Sequence, residues 1–184
     1  MKKYAKYLNF VISLIVIKII FDIINRILIC SNILKQKYFD IGLNITVPET
    51  TSYSTYCIFS LITTFPLIYL IFQLIAFRKI SKKLEQNLIF DSESGTNLNS
   101  VANGFFYFIL FASITKLFLG TYINYTNNQS TGRIGELIGI AMGESIFDTI
   151  LFILPMLVIT LFVKIIALLL MHGEVMKSEN DLTI

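Results

Sequence analysis

Lys18, Asp22, Asn25 and Arg26 recur at helical spacing inside an otherwise apolar run. On a helix they form one polar stripe. Lys116 occupies a comparable place in a later apolar run. A charge at bilayer depth costs about 3 kcal/mol or more unless it is paired or hydrated. Such residues relay protons, bind an ion or ligand, or pair with one another to set helix register. Asp22 can neutralise Lys18 one turn below it and Arg26 one turn above. Depth suggests another pairing. At 1.5 Å per residue, Asp22 lies about 21 Å along its run and Lys116 about 20 Å along its own, so an Asp22–Lys116 bridge between helices is expected to fit. Two readings stay open: an ion, proton or ligand pathway built on Lys18, Asp22 and Lys116, and a structural network. Lys164 differs, because it lies near the inner end of its run and can snorkel.

Other site chemistry has little support. One histidine and two cysteines cannot build a metal cluster at the usual spacings. No P-loop or dinucleotide fingerprint is present. The single histidine, His172, falls at a predicted membrane edge, away from any Ser-His-Asp arrangement. Neither an enzyme nor a cofactor is expected.

The elements that must position these charges are membrane spans. The chain has 184 residues, of which 55% are hydrophobic. Four runs reach the about 20 apolar residues that a bilayer crossing needs; they are placed at about 8–29, 55–77, 103–124 and 148–171. The expected fold class is all-α, a polytopic membrane protein forming a single four-helix transmembrane domain over 1–184. The first run follows Lys2, Lys3 and Lys6, the layout of a signal peptide. It is read as a retained helix, being too long for an h-region and lacking a small-x-small cleavage site.

Charge orients the spans. Lys2, Lys3, Lys6, Arg78, Lys79, Lys82, Lys83 and Lys177 fall on one side, against Lys35, Lys37 and Arg133 on the other. The positive-inside rule then predicts both termini in the cytoplasm of an inner-membrane protein. The inner loop is 78–102, and the outer loops are about 31–54 and 125–147. The net charge of +3 belongs to the membrane edges. It implies contact with the lipid bilayer and no direct nucleic acid binding. Tryptophan is absent, so Tyr4, Tyr7, Tyr53, Tyr56, Tyr107, Tyr122 and Tyr125 are left to supply an aromatic belt.

Cys30 ends the first span and Cys57 begins the second, both near the outer face. In an oxidising compartment they can form a disulfide closing the first outer loop; the other reading is two unpaired thiols. Asn44-Ile45-Thr46, Asn124-Tyr125-Thr126 and Asn128-Gln129-Ser130 match the glycosylation sequon, which in an Asn-rich chain is read as chance. Gly135, Gly139 and Gly143 form a small-residue series. It is read as packing on its own bundle, with a homo-oligomer surface as the alternative. The segment 134–147 either lies at the interface or extends the fourth helix. Phe65-Pro66-Leu67-Ile68 and Leu154-Pro155-Met156-Leu157 hint at a duplicated two-helix unit.

The inner loop continues the second helix with Ile80, Leu84 and Leu88, and 91–96 supplies turn and capping residues before the next helix. The tail runs from His172 to Ile184. Leu84, Phe90, Leu98 and Ala102, followed by Gly173, Met176, Lys177, Glu179, Asp181, Leu182, Thr183 and Ile184, carry a pattern. It resembles a family of small bacterial four-span membrane proteins called domain of unknown function twenty-nine seventy-five. His172 stands where that family more usually has a charged residue. The resemblance implies a bacterial inner-membrane protein with no assigned activity. Its members are often encoded beside a small helix-turn-helix regulator, which implies a cytoplasmic protein partner.

The resulting expectation is a non-enzymatic membrane protein with a sensing, regulatory or protective role. It would act through its inner loop and through Gly173, Lys177, Glu179, Asp181, Leu182 and Thr183 of the tail. The alternatives are a small transporter or channel using Lys18, Asp22 and Lys116, and a structural accessory subunit.

Overall fold

An apolar run in lipid has no water to satisfy its backbone, so it must bond to itself as helix. The computed structural model follows that requirement; it describes residues 2–31, 39–48, 51–85, 92–127 and 134–181. The elements are α1 (Lys2–Cys30), β1 (Phe39–Gly42), β2 (Ile45–Val47), α2 (Tyr53–Glu85), α3 (Ser92–Asn127) and α4 (Ile134–Asp181). All four helices are long and apolar enough to cross a membrane. Each outruns its predicted span, most of all α4, which has 48 residues. The segment 134–147 is therefore the first part of α4. Pro66 and Pro155 lie inside α2 and α4, which continue through them.

Hydroxyl side chains inside these helices bond back onto their own backbone. Ser13, Thr64, Ser113, Thr115, Thr121, Thr149 and Thr160 each donate to the carbonyl four residues earlier. This lets a polar side chain sit in an apolar helix without an orphaned donor.

The chain divides into two compact units. The termini unit comprises Met1–Lys18, Tyr69–Phe108 and Met156–Ile184. Its core joins Ile80 of α2, Leu98, Val101 and Ala102 of α3, and Val163 and Ala167 of α4. Phe77 and Phe105 add an edge-to-face pair at 6.1 Å. Small residues permit the close approach. A Cβ on Gly104 would stand 2.1 Å from Gln73 Oε1, and one on Gly95 would stand 2.7 Å from Met171 Cγ. Lys164 donates to Asn103 Oδ1 at 3.1 Å. Lys83 pairs with Glu93 at 3.1 Å, the only ion pair among the described residues.

The hairpin unit comprises Ile19–Ile68 and Ile109–Pro155. Its distinguishing element is the antiparallel pair β1–β2, joined by the two-residue turn Leu43-Asn44. Both turn residues have positive φ, at 56° and 57°, the conformation of a hairpin turn that follows the strand twist. Apolar residues alternate along this stretch. Ile41, Leu43, Ile45 and Val47 are buried, whereas Asp40, Asn44 and Thr46 are exposed. Elsewhere in the unit, Phe59 and Tyr122 meet edge to face at 5.3 Å.

The glycine series behaves differently from its expectation. A Cβ on Gly135, Gly139 or Gly143 would meet nothing within 4 Å, so this face of α4 does not pack on its own bundle. Leu137, Ala141 and Ser145 are the buried side of the same segment. Leu84 and Leu88, the sequon at 128–130 and the tail residues Leu182–Ile184 lie outside the residues whose side chains are described.

Candidate functional site

The hairpin is held by side chains from three helices. From α3, Lys116 reaches the turn and donates to Leu43 O at 3.0 Å and Asn44 O at 3.2 Å. Its ammonium also lies 5.4 Å from the centre of the Phe152 ring on α4, within range of a cation–π contact. From α2, the Thr63 hydroxyl donates to the Ile41 carbonyl. From α1, the Arg26 guanidinium packs against Gly42, where a Cβ would stand 2.4 Å from Nη1. Gly42 also has φ of 91°, marks an irregularity in the strand register, and has its amide bonded to Asp40 Oδ1 at 2.6 Å. Glycine is required there twice over, by conformation and by the neighbouring guanidinium.

Lys116 and Arg26 are each only 6% exposed. Arg26 Nη1 is buried without a hydrogen-bond partner. The carboxylates acting on its charge are Asp40 first and Asp22 second. For Lys116 the acting carboxylate is Asp148 of α4.

Beside the turn lies a polar cavity of about 110 Å³, lined by Asn44, Thr46, Lys116, Asn124, Ser145 and Asp148 among others. Asn124 Nδ2 donates to Ser145 Oγ at 3.2 Å, joining α3 to α4. A Cβ on Gly120 would come within 3.1 Å of that same Ser145 oxygen, so the glycine lets the two helices approach. The cavity presents an ammonium on one wall and a carboxylate on another, with amide and hydroxyl groups between. That lining suits water or a small polar solute.

The predicted stripe divides on folding. Arg26 is buried under the hairpin, Asp22 and Asn25 are half-buried, and Lys18 is exposed on α1. Lys116 does not pair with Asp22; its bonds go to the turn carbonyls. Cys30 and Cys57 are free thiols, half-buried and lining the same groove. In the tail, Gly173 is half-buried, and a Cβ there would meet nothing within 4 Å. Lys177, Glu179 and Asp181 continue α4, with side chains outside the described residues. Sequence reasoning missed the hairpin, Thr63, the Asn124–Ser145 contact and the cavity.

Four helices able to cross a membrane, with apolar residues such as Phe72, Phe118 and Leu169 turned outward, define a multi-pass membrane protein. The family described as "Protein of unknown function (DUF2975)" matches residues 3–184, and the chain belongs to it. No curated protein and no solved structure matches the chain.

Proposed function

We propose that this is a non-enzymatic, multi-pass inner-membrane protein with a sensing or regulatory role, its hairpin end outside the cell and both termini in the cytoplasm. One observation carries the reading. Lys116, a buried charge in a membrane span, is bonded to the turn of a small cap beside a polar cavity. Burying a charge is costly, and holding a cap in place beside a polar cavity suits an input site. The positive-inside bias supports the orientation. The inner loop and the tail, including Gly173, Lys177, Glu179, Asp181, Leu182 and Thr183, form the output surface for a cytoplasmic partner.

The test is a membrane two-hybrid assay against a small helix-turn-helix regulator, the partner that the family resemblance implies. Full-length protein is expected to bind it, and a form ending at Gly173 is expected to insert normally and lose binding. Lys116→Met is expected to change the regulator's transcriptional output when variant and wild type are compared at matched protein level. Absence of binding by the full-length protein, or binding that survives the truncation, overturns the reading. The transporter alternative has less support, since Lys18 is exposed and Lys116 is engaged with the turn. Flux in proteoliposomes that is lost in Asp22→Asn is the result that would favour it.

A further inference from the structure

We propose that Cys30 and Cys57 form a redox-active dithiol that oxidises to a disulfide joining the last residue of α1 to the first turns of α2. This stands apart from the regulatory reading and does not depend on it.

The geometry is prepared before any bond forms. The two half-buried thiols line one groove, which Ser60 lines with them. The helix ends that carry them are tied independently. The Tyr53 hydroxyl of α2 shares its proton between Ile29 O at 3.0 Å and Cys30 O at 2.5 Å of α1. Ser31 closes α1 by bonding Ile27 O at 2.9 Å, and Ser52 opens α2 by accepting from the Thr55 amide at 3.3 Å. A disulfide forms at low strain only where the backbone brings its two ends together, and the Tyr53 bonds tie the end of α1 to the start of α2.

Access is also present. Both cysteines line an open groove of about 530 Å³ with Arg26, Ser60, Leu61 and Phe65. Both are half-buried rather than sealed. A buried pair out of reach of any oxidant would be inert.

The co-reactant is a disulfide, either of a small thiol or of a protein. The thiolate of one cysteine attacks a sulfur of that disulfide, forming a mixed disulfide and expelling one thiolate. The thiolate of the second cysteine then attacks the protein sulfur of the mixed disulfide. The Cys30–Cys57 bond forms and the second thiolate leaves. The two protein thiols lose two protons and two electrons; the partner disulfide gains both and departs as two thiols. The closed loop contains the whole hairpin, so oxidation cross-links the base of the element that Lys116 and Thr63 hold at its turn and first strand.

The experiment uses the full chain in detergent, equilibrated with oxidised and reduced glutathione and then denatured in an alkylating reagent. Intact-mass measurement should show both thiols disappearing together, with a loss of two hydrogens and no change in the monomer's mobility. Cys30→Ser and Cys57→Ser should each leave one thiol that is alkylated or carries glutathione. The oxidised wild type should resist proteolysis between residues 31 and 56 better than the reduced form. Two thiols that stay alkylatable in excess oxidised glutathione, two separate glutathione adducts, or a cross-link between chains would each overturn the proposal. The wild-type thiol count decides the matter even where a serine variant folds poorly.

Discussion

The two units are held by different physics. The hairpin unit relies on directed polar bonds: Lys116 on two turn carbonyls, Thr63 on Ile41 and Asn124 on Ser145. The termini unit relies on small-residue packing, with Ala102 and Ala167 fully buried among Ile80, Leu98, Val101 and Val163. In lipid, apolar packing gains little from the hydrophobic effect, because the alternative surroundings are as oily as the core. Close fit then matters more than area. A polar cap has the opposite balance, since each of its bonds satisfies a group that would otherwise be orphaned in an apolar setting.

That contrast can be broken most directly at Lys116. Lys116→Met removes the charged donor from two carbonyls and is expected to cost about 3 kcal/mol. Thermal melting in detergent should show the loss, and hydrogen exchange at 39–47 should accelerate while exchange at 98–102 stays slow. Unchanged exchange at 39–47 would mean that packing, not polar bonding, holds the cap. Gly42→Ala comes next, at about 2 kcal/mol, because it meets both a positive φ and the Arg26 guanidinium. Gly135→Ala is its control, with open space at the site and no loss of melting temperature expected.

The termini unit should respond to volume instead. Ala102→Leu overpacks a fully buried position and is expected to cost about 1.5 kcal/mol. It should speed exchange at 98–102 and spare 39–47; the reverse pattern would dissolve the contrast. The smallest effect is expected at Lys83–Glu93, ahead of the 103–124 span. Lys83 holds the Glu93 carboxyl below its usual value, through its hydrogen bond first and its charge second. A lowered folded-state value stabilises above the unfolded carboxylate range and loses that gain as pH falls through it. Glu93 is exposed, so Glu93→Gln should leave the melting temperature unchanged within error, and salt should erase any residue of the effect.

The helices were legible in the sequence because a membrane-spanning run must be apolar for its whole length. Their ends were not. Glu136, Glu144 and Asp148 make the start of α4 too polar for lipid, yet a helix bonds its own backbone and needs no bilayer to continue. The hairpin was readable in principle, since Phe39, Ile41, Leu43, Ile45 and Val47 alternate strictly with other residues. Its turn gives no signal of its own, because it carries Leu43-Asn44 rather than the usual Asn-Gly. The polar stripe shows a deeper limit. Spacing puts Lys18, Asp22, Asn25 and Arg26 along α1 but does not tell which of them folding covers. The depth of Lys116 in its run demands a partner and matches that of Asp22, but depth says nothing of the main-chain carbonyls that the ammonium meets.

Lys116 binds main-chain oxygens, and this has an evolutionary consequence. The side chains of the turn can drift while its two carbonyls stay in place. Paired substitutions are therefore not expected between position 116 and positions 43 and 44. Among relatives, the lysine should instead travel with the length of this turn and with a glycine at position 42. What it is expected to coevolve with is a backbone shape.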